Sequence, residues 1–579
     1  MTDATSTNAR MCWGQRIPLR DGVHLNAILY LPKELPTPAP AIVTLTPYIA
    51  QSYHDRGLAF AARGFPFLIV DVRGRGDSEG QFRPNLQEAN DGYDVVEWLA
   101  RRSYCNGKVA MWGGSYAGYA QWATAKELPP HLAAIAPVAA PFMGVDFPMR
   151  NNIPETYAMQ WLTQVEGRAS QSKVFGEEPA YWRASFRDAQ AAGVPFEQLD
   201  RFLGMPSPTF QEWVAHPSRD AYWDAYNPTV AQYGRIEIPV LSITGVYDGD
   251  QLGTLAHYRQ HMSNASEPAR AEHCLVIGPG DHAGTRTPAA KFAGITVGSE
   301  SLVDLQQLHV DWYDWVLRGG VKPAFLQKRV AYYVMVADRW QYADSLEEIT
   351  ERVQPLYLQA RDRSPPGFNP TDVFCSGELG REHRSGSTPH EYRYDPADLS
   401  YAGVEATVDP ESLVDQRMIH ALRGKLLVYH SAPFEQELEI GGCFRLSLWL
   451  AIDQPDTDFR ASIFEIDSGG RGVLLSEDWI RARYRTSLRE QRPVSTGEPL
   501  QYEFKHFPFV SRLIARGCRL RLVIRAMSSI HSQKNYNSGG VVASESFADA
   551  RPVTVRLFHD ESHPSVLHVP VGRSALSET

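Results

Sequence analysis

Lys108-Val-Ala-Met-Trp-Gly-Gly-Ser-Tyr-Ala-Gly118 is the stretch on which the reading of this chain turns. Val109 to Trp112 is a short apolar run of the kind that forms a buried strand, and Tyr116 to Lys126 is a helix rich in alanine and aromatics. Between them, small residues allow a tight strand-to-helix turn with Ser115 at its tip. That is the context a nucleophile elbow requires. The simplest Gly-x-Ser-x-Gly form is not met, because Ala117 stands two places after the serine and the next glycine is Gly118.

Outward from this turn the chain alternates strands and helices. On the N-terminal side, Asp21 to Pro32 and Ala41 to Thr46 read as strands, Leu58 to Arg63 as a helix stopped by Gly64, and Phe67 to Val72 as a buried strand. Gly92 to Arg101 is a helix with Val95, Val96 and Leu99 on one face. Such alternation with short turns predicts a doubly wound α/β sheet. The rhythm changes between about Pro141 and Tyr233, where Tyr157, Trp161, Trp182, Phe186, Phe210, Trp213 and Trp223 crowd helix-like segments between prolines. This is an inserted helical unit whose aromatics chiefly form its own core. Strands return at Pro239 to Thr244 and Cys274 to Ile277. From about Pro355 onward β patterns dominate, as in Phe444 to Ile452, Arg460 to Ile466, Leu520 to Ile524 and Val553 to Phe558. The expected divisions are an α/β core over 1–141 and 235–352, an insert over 142–234, and an all-β domain over 353–579.

An α/β-hydrolase places its acid and its histidine after the serine, each just past a later strand. Asp248 follows the strand that begins at Pro239, and His282 follows the one that begins at Cys274. Of 18 histidines, His282 alone closes such a strand; His309 lies inside a helix-like run, and His531, His559 and His568 fall in the β domain. Ser115, His282 and Asp248 are thus the expected nucleophile, base and acid. Other motifs read differently. His257 and His261 have the i, i+4 spacing of zinc helices but lack the intervening glutamate, so a solvated helix face is expected there and no metal site. Gly74-Arg-Gly-Asp-Ser-Glu-Gly80 has its last glycine one place late for a dinucleotide loop and is read as a tight turn. No cofactor is expected.

Composition narrows the class further. The chain has 579 residues, 43% of them apolar and 21% charged, with a net charge of −10 and no basic run that would follow a phosphate backbone. Nucleic acid and membrane are excluded as expected partners. The polar stretch Met1 to Trp13 lacks a signal-peptide pattern, and a cytoplasmic location is expected. Six scattered cysteines without a Cys-x-x-Cys pair fit mostly buried, reduced thiols.

With these motifs in place, the chain resembles the CocE/NonD family, the X-prolyl dipeptidyl-peptidase-like serine hydrolases that include bacterial cocaine esterase and the α-amino acid ester hydrolases. The likeness rests on Arg20-Asp-Gly-Val-His-Leu25, Asp71-Val-Arg-Gly-Arg-Gly-Asp-Ser-Glu-Gly80, Asn106-Gly-Lys-Val109, Gly113-Gly-Ser-Tyr-Ala-Gly118, Tyr247-Asp-Gly249 and Gly278-Pro-Gly-Asp-His282. Trp479-Ile-Arg-Ala-Arg-Tyr484 and His563-Pro-Ser-Val-Leu567 extend it to the C-terminal domain. The resemblance implies an α/β-hydrolase core, an inserted helical cap and a C-terminal jelly roll. It also implies an oxyanion hole made by the Tyr48 hydroxyl and the Tyr116 N–H. Gly280 and Asp281 depart from the tryptophan and small polar residue that commonly precede the family's histidine. Amino acid ester hydrolases of the family bind a substrate ammonium with extra carboxylates, a role that would fall here to Asp250 and Asp146, with Trp161 lining the pocket.

The expected activity is cleavage of a small carboxylic ester or amide through an acyl-enzyme on Ser115. An acyltransferase using the same triad, an X-prolyl dipeptidyl peptidase, and a binding protein working through its jelly roll are the alternatives. A homo-oligomer is left open.

Overall fold

The computed structural model describes residues 8–362, 365, 367–384 and 388–573; residues 1–7 of the polar N-terminal stretch lie outside them. The first sheet is built from β1 (Ala9–Pro18), β2 (His24–Pro32), β3 (Ala39–Thr46), β4 (Phe67–Asp71), β5 (Cys105–Gly114), β6 (Leu132–Val138), β7 (Val240–Tyr247), β8 (His273–Asp281), β9 (Val330–Val334) and β10 (Arg339–Ala343). Their order is β1-β2-β4-β3-β5-β6-β7-β8-β9-β10. The run from β4 to β9 is parallel, and antiparallel strands close both edges.

Parallel strands need cover on both faces, and the pleat of β5 displays how it is supplied. Val109 and Met111 point into the core shared with α2 (Glu88–Ala100) and α3 (Tyr116–Ala125), whereas Ala110 and Trp112 point into the core shared with α1 (His54–Ala61) and α7 (Leu305–Arg318). Val95, Val96 and Leu99 of α2 are completely buried, as their common face predicts. Strand order reverses at β3, which has β4 on one side and β5 on the other. The crevice beyond the carboxyl ends of such strands is where open α/β sheets bind ligands. Tyr48 and Ser115 leave the sheet there.

The segment between β6 and β7 carries α4 (Tyr157–Val165), α5 (Pro179–Ala191) and several shorter helices. Trp182, Phe186, Phe210, Trp213 and Trp223 are buried and belong to the same core as α2 and α3, so the cap is fused to one face of the sheet. The C-terminal domain is a β sandwich of the jelly-roll class. Thirteen strands between Thr350 and Gly572 form one hydrogen-bonded network, with alternate residues Leu446, Leu448, Leu450 and Ile452 facing inward. No described helix is long and apolar enough to cross a membrane.

The Trp479–Tyr484 motif ties this domain to the cap. Trp479 Nε1 donates to the Arg150 carbonyl at 3.0 Å, the Arg150 guanidinium lies 4.1 Å above the Trp479 ring, and Asn151 Nδ2 donates to Asp478 and to the Trp479 carbonyl. Arg481, paired with Asp458 in the interior, reaches the Asn152 carbonyl. Asn151 and Asn152 both take left-handed φ, which asparagine tolerates.

Two expectations need correction. Cys105, Cys274 and Cys518 are buried, but Cys12 and Cys443 are half-buried and Cys375 is exposed; all six are free. The face of α6 (Gln251–Asn264) that carries His257 and His261 is not solvated: both side chains are completely buried, together with His273. Partners distant in sequence make this affordable. His257 Nε2 contacts the Pro141 carbonyl and His261 Nε2 the Ile236 carbonyl, at 3.1 and 2.9 Å. A carbonyl only accepts, so both rings carry their proton on Nε2. His257 Nδ1 then accepts from the Tyr233 hydroxyl, and His261 Nδ1 from His273 Nδ1–H, whose own Nε2 accepts from Ser242 Oγ. Three neutral imidazoles satisfy every ring nitrogen and anchor α6 to the point where the cap leaves the core.

Burial pushes the His257 pKa down to about 3. An unfolded histidine titrates near 6.5, so below that pH the unfolded chain binds a proton that the folded one refuses, and stability present above pH 6.5 is lost as pH falls. Relative to a His257→Gln variant, wild-type unfolding free energy in urea should decline by about 1.4 kcal/mol per pH unit between pH 6 and 5. A difference that stays constant over that range would mean His257 is charged in the folded state.

Candidate active site

Ser115 sits at φ 60° and ψ −125°, a left-handed conformation a non-glycine residue holds only when its surroundings over-determine it. Those surroundings are specific. Its N–H donates to the Val138 carbonyl at 2.9 Å. A Cβ on Gly118 would lie 2.6 Å from that same carbonyl, so the glycine lets α3 approach β6. A Cβ on Gly113, itself at φ 149°, would lie 2.5 Å from the Ala117 methyl. The alanine two places after the serine is therefore accommodated by the glycine two places before it.

Tyr116 opens α3, and its N–H has no preceding helical turn to supply an acceptor. The side chain is turned away: its hydroxyl donates to Glu88 of α2 and accepts from the Asn85 N–H. Burial raises the Glu88 pKa to about 7. The Tyr48 hydroxyl accepts from Trp161 Nε1 at 3.1 Å. Burial pushes this phenol up to about 12, so it remains protonated. Since the indole occupies a lone pair, the O–H proton is left to be donated elsewhere.

Asp248 and His282 come from the carboxyl ends of β7 and β8, adjacent parallel strands. His282 Nδ1 lies 2.7 Å from Asp248 Oδ1, with the Asp248 side chain inaccessible to solvent. Thr244 Oγ1 donates to Asp248 Oδ2 at 2.7 Å, and the Asp250 N–H to Oδ1 at 3.1 Å. Burial alone would raise this carboxyl, but the His282 contact and charge, with the other two donors, outweigh it and hold the pKa below the ordinary value.

The three further residues expected at the site are placed differently from one another. Asp250 approaches His282, with Oδ2 3.7 Å from Nδ1, and makes no side-chain cap to α6. Burial, with Asp146 and Asp248 nearby, drives its pKa well above the ordinary value and favours the neutral acid. Asp146 is spent on backbone: it accepts from the N–H groups of Phe142 and Gly253, capping the first turn of α6. This corrects the expectation that it faces a substrate. Trp161 is buried; besides bonding Tyr48, it stacks on Tyr116 at 6.1 Å and meets Phe147 edge-on at 5.3 Å.

Sequence reasoning missed Thr244, although it lies one strand-end turn before Asp248, and Arg286, four residues beyond His282. The Arg286 side chain lies flat against Gly114, where any Cβ would come 2.6 Å from its NH1. Asp248, Asp250 and His282 are also close enough to hold a metal ion, with ligand atoms within 4.8 Å of one another. The 2.7 Å contact between His282 and Asp248 has hydrogen-bond length, however, and leaves the imidazole Nε2 as its free nitrogen.

The chain matches the family model described as X-Pro dipeptidyl-peptidase (S15 family) over residues 21–284, and that described as X-Pro dipeptidyl-peptidase C-terminal non-catalytic domain over residues 325–568. It is 26% identical over 589 residues to a cocaine esterase from Rhodococcus sp. (strain MB1 Bresler), a match covering 96% of this chain and 97% of the relative. Among solved structures, an α-amino acid ester hydrolase superposes with a TM-score of 0.83 at 20% identity, covering 99% of this chain and 98% of that one. A CocE/NonD family hydrolase from Staphylococcus aureus does so with a TM-score of 0.68 at 18% identity, covering 97% and 93%.

The pairing of Gly113 with Ala117 can be tested directly. Gly113→Ala should destabilise the core by about 1–3 kcal/mol, the usual cost of overpacking, and adding Ala117→Gly should recover part of it. Unfolding midpoints of the single and double variants decide the matter; no recovery would mean that the strained φ or Thr44, not the methyl, sets the requirement.

Proposed function

The chain belongs to the CocE/NonD family of serine hydrolases, and from that premise we propose that it cleaves carboxylic esters through an acyl-enzyme on Ser115. The observation that carries the reading is the buried Asp248 carboxylate hydrogen-bonded to His282 Nδ1. A carboxylate there fixes the ring's tautomer and favours the imidazolium, so Nε2 is the nitrogen able to take a proton from the serine hydroxyl. Ser115 Oγ then attacks the ester carbonyl, whose oxygen gains charge. The Tyr48 O–H and the Tyr116 N–H stabilise that charge. His282 returns its proton to the departing alcohol, leaving Ser115 acylated. Water, deprotonated by His282 in turn, releases the acid.

The substrate class follows from charge. With Asp146 committed to backbone and Asp250 held toward its neutral form, the surroundings of Ser115 offer little to a substrate ammonium, and the rings of Trp161 and Phe147 pack against one another beside Tyr48 and Tyr116. Esters of uncharged acyl groups fit this best. The cocaine esterase relative is consistent with such substrates.

A fluorophosphonate probe should label the wild type and not Ser115→Ala, whose kcat should fall by about 10⁶. Labelling of the alanine variant would remove Ser115 from the mechanism. Tyr48→Phe should lower kcat by roughly 10²–10³ with KM little changed, as for a donor acting in the transition state. Between paired esters of free and N-acetylated amino acids, the acetylated forms should have equal or higher kcat/KM. A strong preference for the free amine, lost in Asp250→Asn, would instead support the amino-terminal peptidase reading.

A further inference from the structure

Asp248 lies on a loop whose two shoulders are both fastened to the C-terminal β domain. On one side, the hydroxyl of Tyr247 donates to the Leu474 carbonyl at 2.9 Å. On the other, the completely buried Gln251 acts as a double-sided clamp. Its Nε2 is shared among the carbonyls of Gly245, Val246 and Phe509 at 3.0 to 3.1 Å, and its Oε1 accepts the Phe509 N–H at 2.6 Å. The Gln251 N–H closes the turn by donating to the Asp248 carbonyl at 3.1 Å. Gln251 thus grips both backbone groups of one residue of the β domain, Phe509, and the carbonyls of Gly245 and Val246 at the end of β7, just before the acid.

Fastening continues on either side. Met335 at the end of β9 exchanges backbone hydrogen bonds with Ser511 and Leu513, so the strand containing Phe509 is docked along the core and does not merely touch it at one point. The interaction is dry and fully satisfied, which makes it stiff: a buried amide that loses a partner pays the desolvation of the group left behind.

We propose that the C-terminal β domain positions the acid of the catalytic apparatus, with Gln251 as the positioning residue. Gln251 touches neither substrate nor reacting atoms; it sets where Asp248 meets His282 Nδ1. The inference rests on the proposed role of Ser115, His282 and Asp248. It assigns the β domain, which carries none of those three residues, a direct part in the geometry of the reaction.

The test compares Gln251→Leu, Gln251→Glu and Tyr247→Phe with the wild type, as the full chain, on one neutral ester. The glutamate keeps the acceptor for Phe509 but loses the donor, and the phenylalanine removes only the Leu474 bond. In Gln251→Leu, kcat should fall by on the order of 10²-fold with KM little changed, the loss expected of a small misplacement of a catalytic group. The acid limb of the kcat/KM profile should move to lower pH, because the contact that favours the charged Asp248–His282 pair is loosened. The other charges facing His282 and Asp248, namely Asp250, Asp146, Asp281, Glu411 and Arg286, are unchanged in Gln251→Leu and Tyr247→Phe, whereas Gln251→Glu adds a carboxyl beside Asp248. Tyr247→Phe should show smaller changes of the same two kinds, and it carries the test if Gln251→Leu does not fold; Gln251→Glu should lower kcat as well, but its added carboxyl takes it out of the comparison of acid limbs. A lowered unfolding midpoint with kcat and the acid limb unchanged would overturn the proposal and leave Gln251 a purely structural fastening. Fluorophosphonate labelling of wild-type Ser115 separates that outcome from failure of the underlying mechanism, which would show as an unlabelled Ser115.

Discussion

A charged carboxylate with no access to water is the constraint around which the rest is arranged. Taking Asp248 out of solvent costs several kcal/mol unless its oxygens are fully occupied, and here His282, Thr244 and the Asp250 N–H occupy them. Each donor has a structural address. Thr244 is on the strand that ends at the acid, the Asp250 amide is on the turn that follows, and His282 arrives from the neighbouring parallel strand, past a register shift between Gly278 and Asp281. Neighbouring acids are handled by other means. Asp146 accepts from two backbone amides, yet burial raises its pKa to about 7, and Asp250 is driven further toward its neutral form, so Asp248 is the one of the three acids held firmly as a carboxylate.

How far the sequence discloses this depends on whether the partners are local. The strand-turn-helix around Ser115 was legible because its parts are contiguous, and Asp248 and His282 because both close apolar strands. The doubly wound α/β class follows from the same alternation, whereas the strand order and the crevice at β3 emerge only in the folded chain. What was not legible depends on contacts between distant segments. His257 and His261 look like a solvated helix face, since nothing nearby in sequence announces the Pro141 and Ile236 carbonyls or the Ser242 hydroxyl that make their burial tolerable. Asp146 looks available for substrate until the first turn of α6 is folded against it. Gln251 carries no motif at all.

The aromatics of the cap illustrate the same limit from the other direction. A cluster of tryptophans is sufficiently explained by packing, and Trp182, Trp213 and Trp223 do pack. Trp182 and Trp223 spend their indole N–H groups on cap carbonyls, and Trp161 differs in its partner. Its indole N–H occupies the Tyr48 oxygen, and only the folded chain brings the cap helix over the loop after β3. The cap therefore does more than roof the crevice, because it fixes which way the phenol can donate.

The groups proposed to act are in this way supported from three sides by parts of the chain that do not contain Ser115, His282 or Asp248. The cap orients Tyr48, α2 holds the Tyr116 side chain aside through Glu88, and the C-terminal domain grips the loop of Asp248. A parallel sheet alone delivers side chains to its carboxyl edge on loops, which are the least rigid elements of a fold. Acyl transfer needs those side chains held to a fraction of an ångström. Burying the loop shoulders against a second domain supplies that rigidity without adding any group to the reaction. It also explains why a jelly roll that contributes no nucleophile, base or acid is bonded to the core through its backbone beside the acid: Phe509 and Leu474 offer amide and carbonyl groups, which any side chain at those positions would provide, so the contact is set by the fold of the domain and not by the identity of its residues.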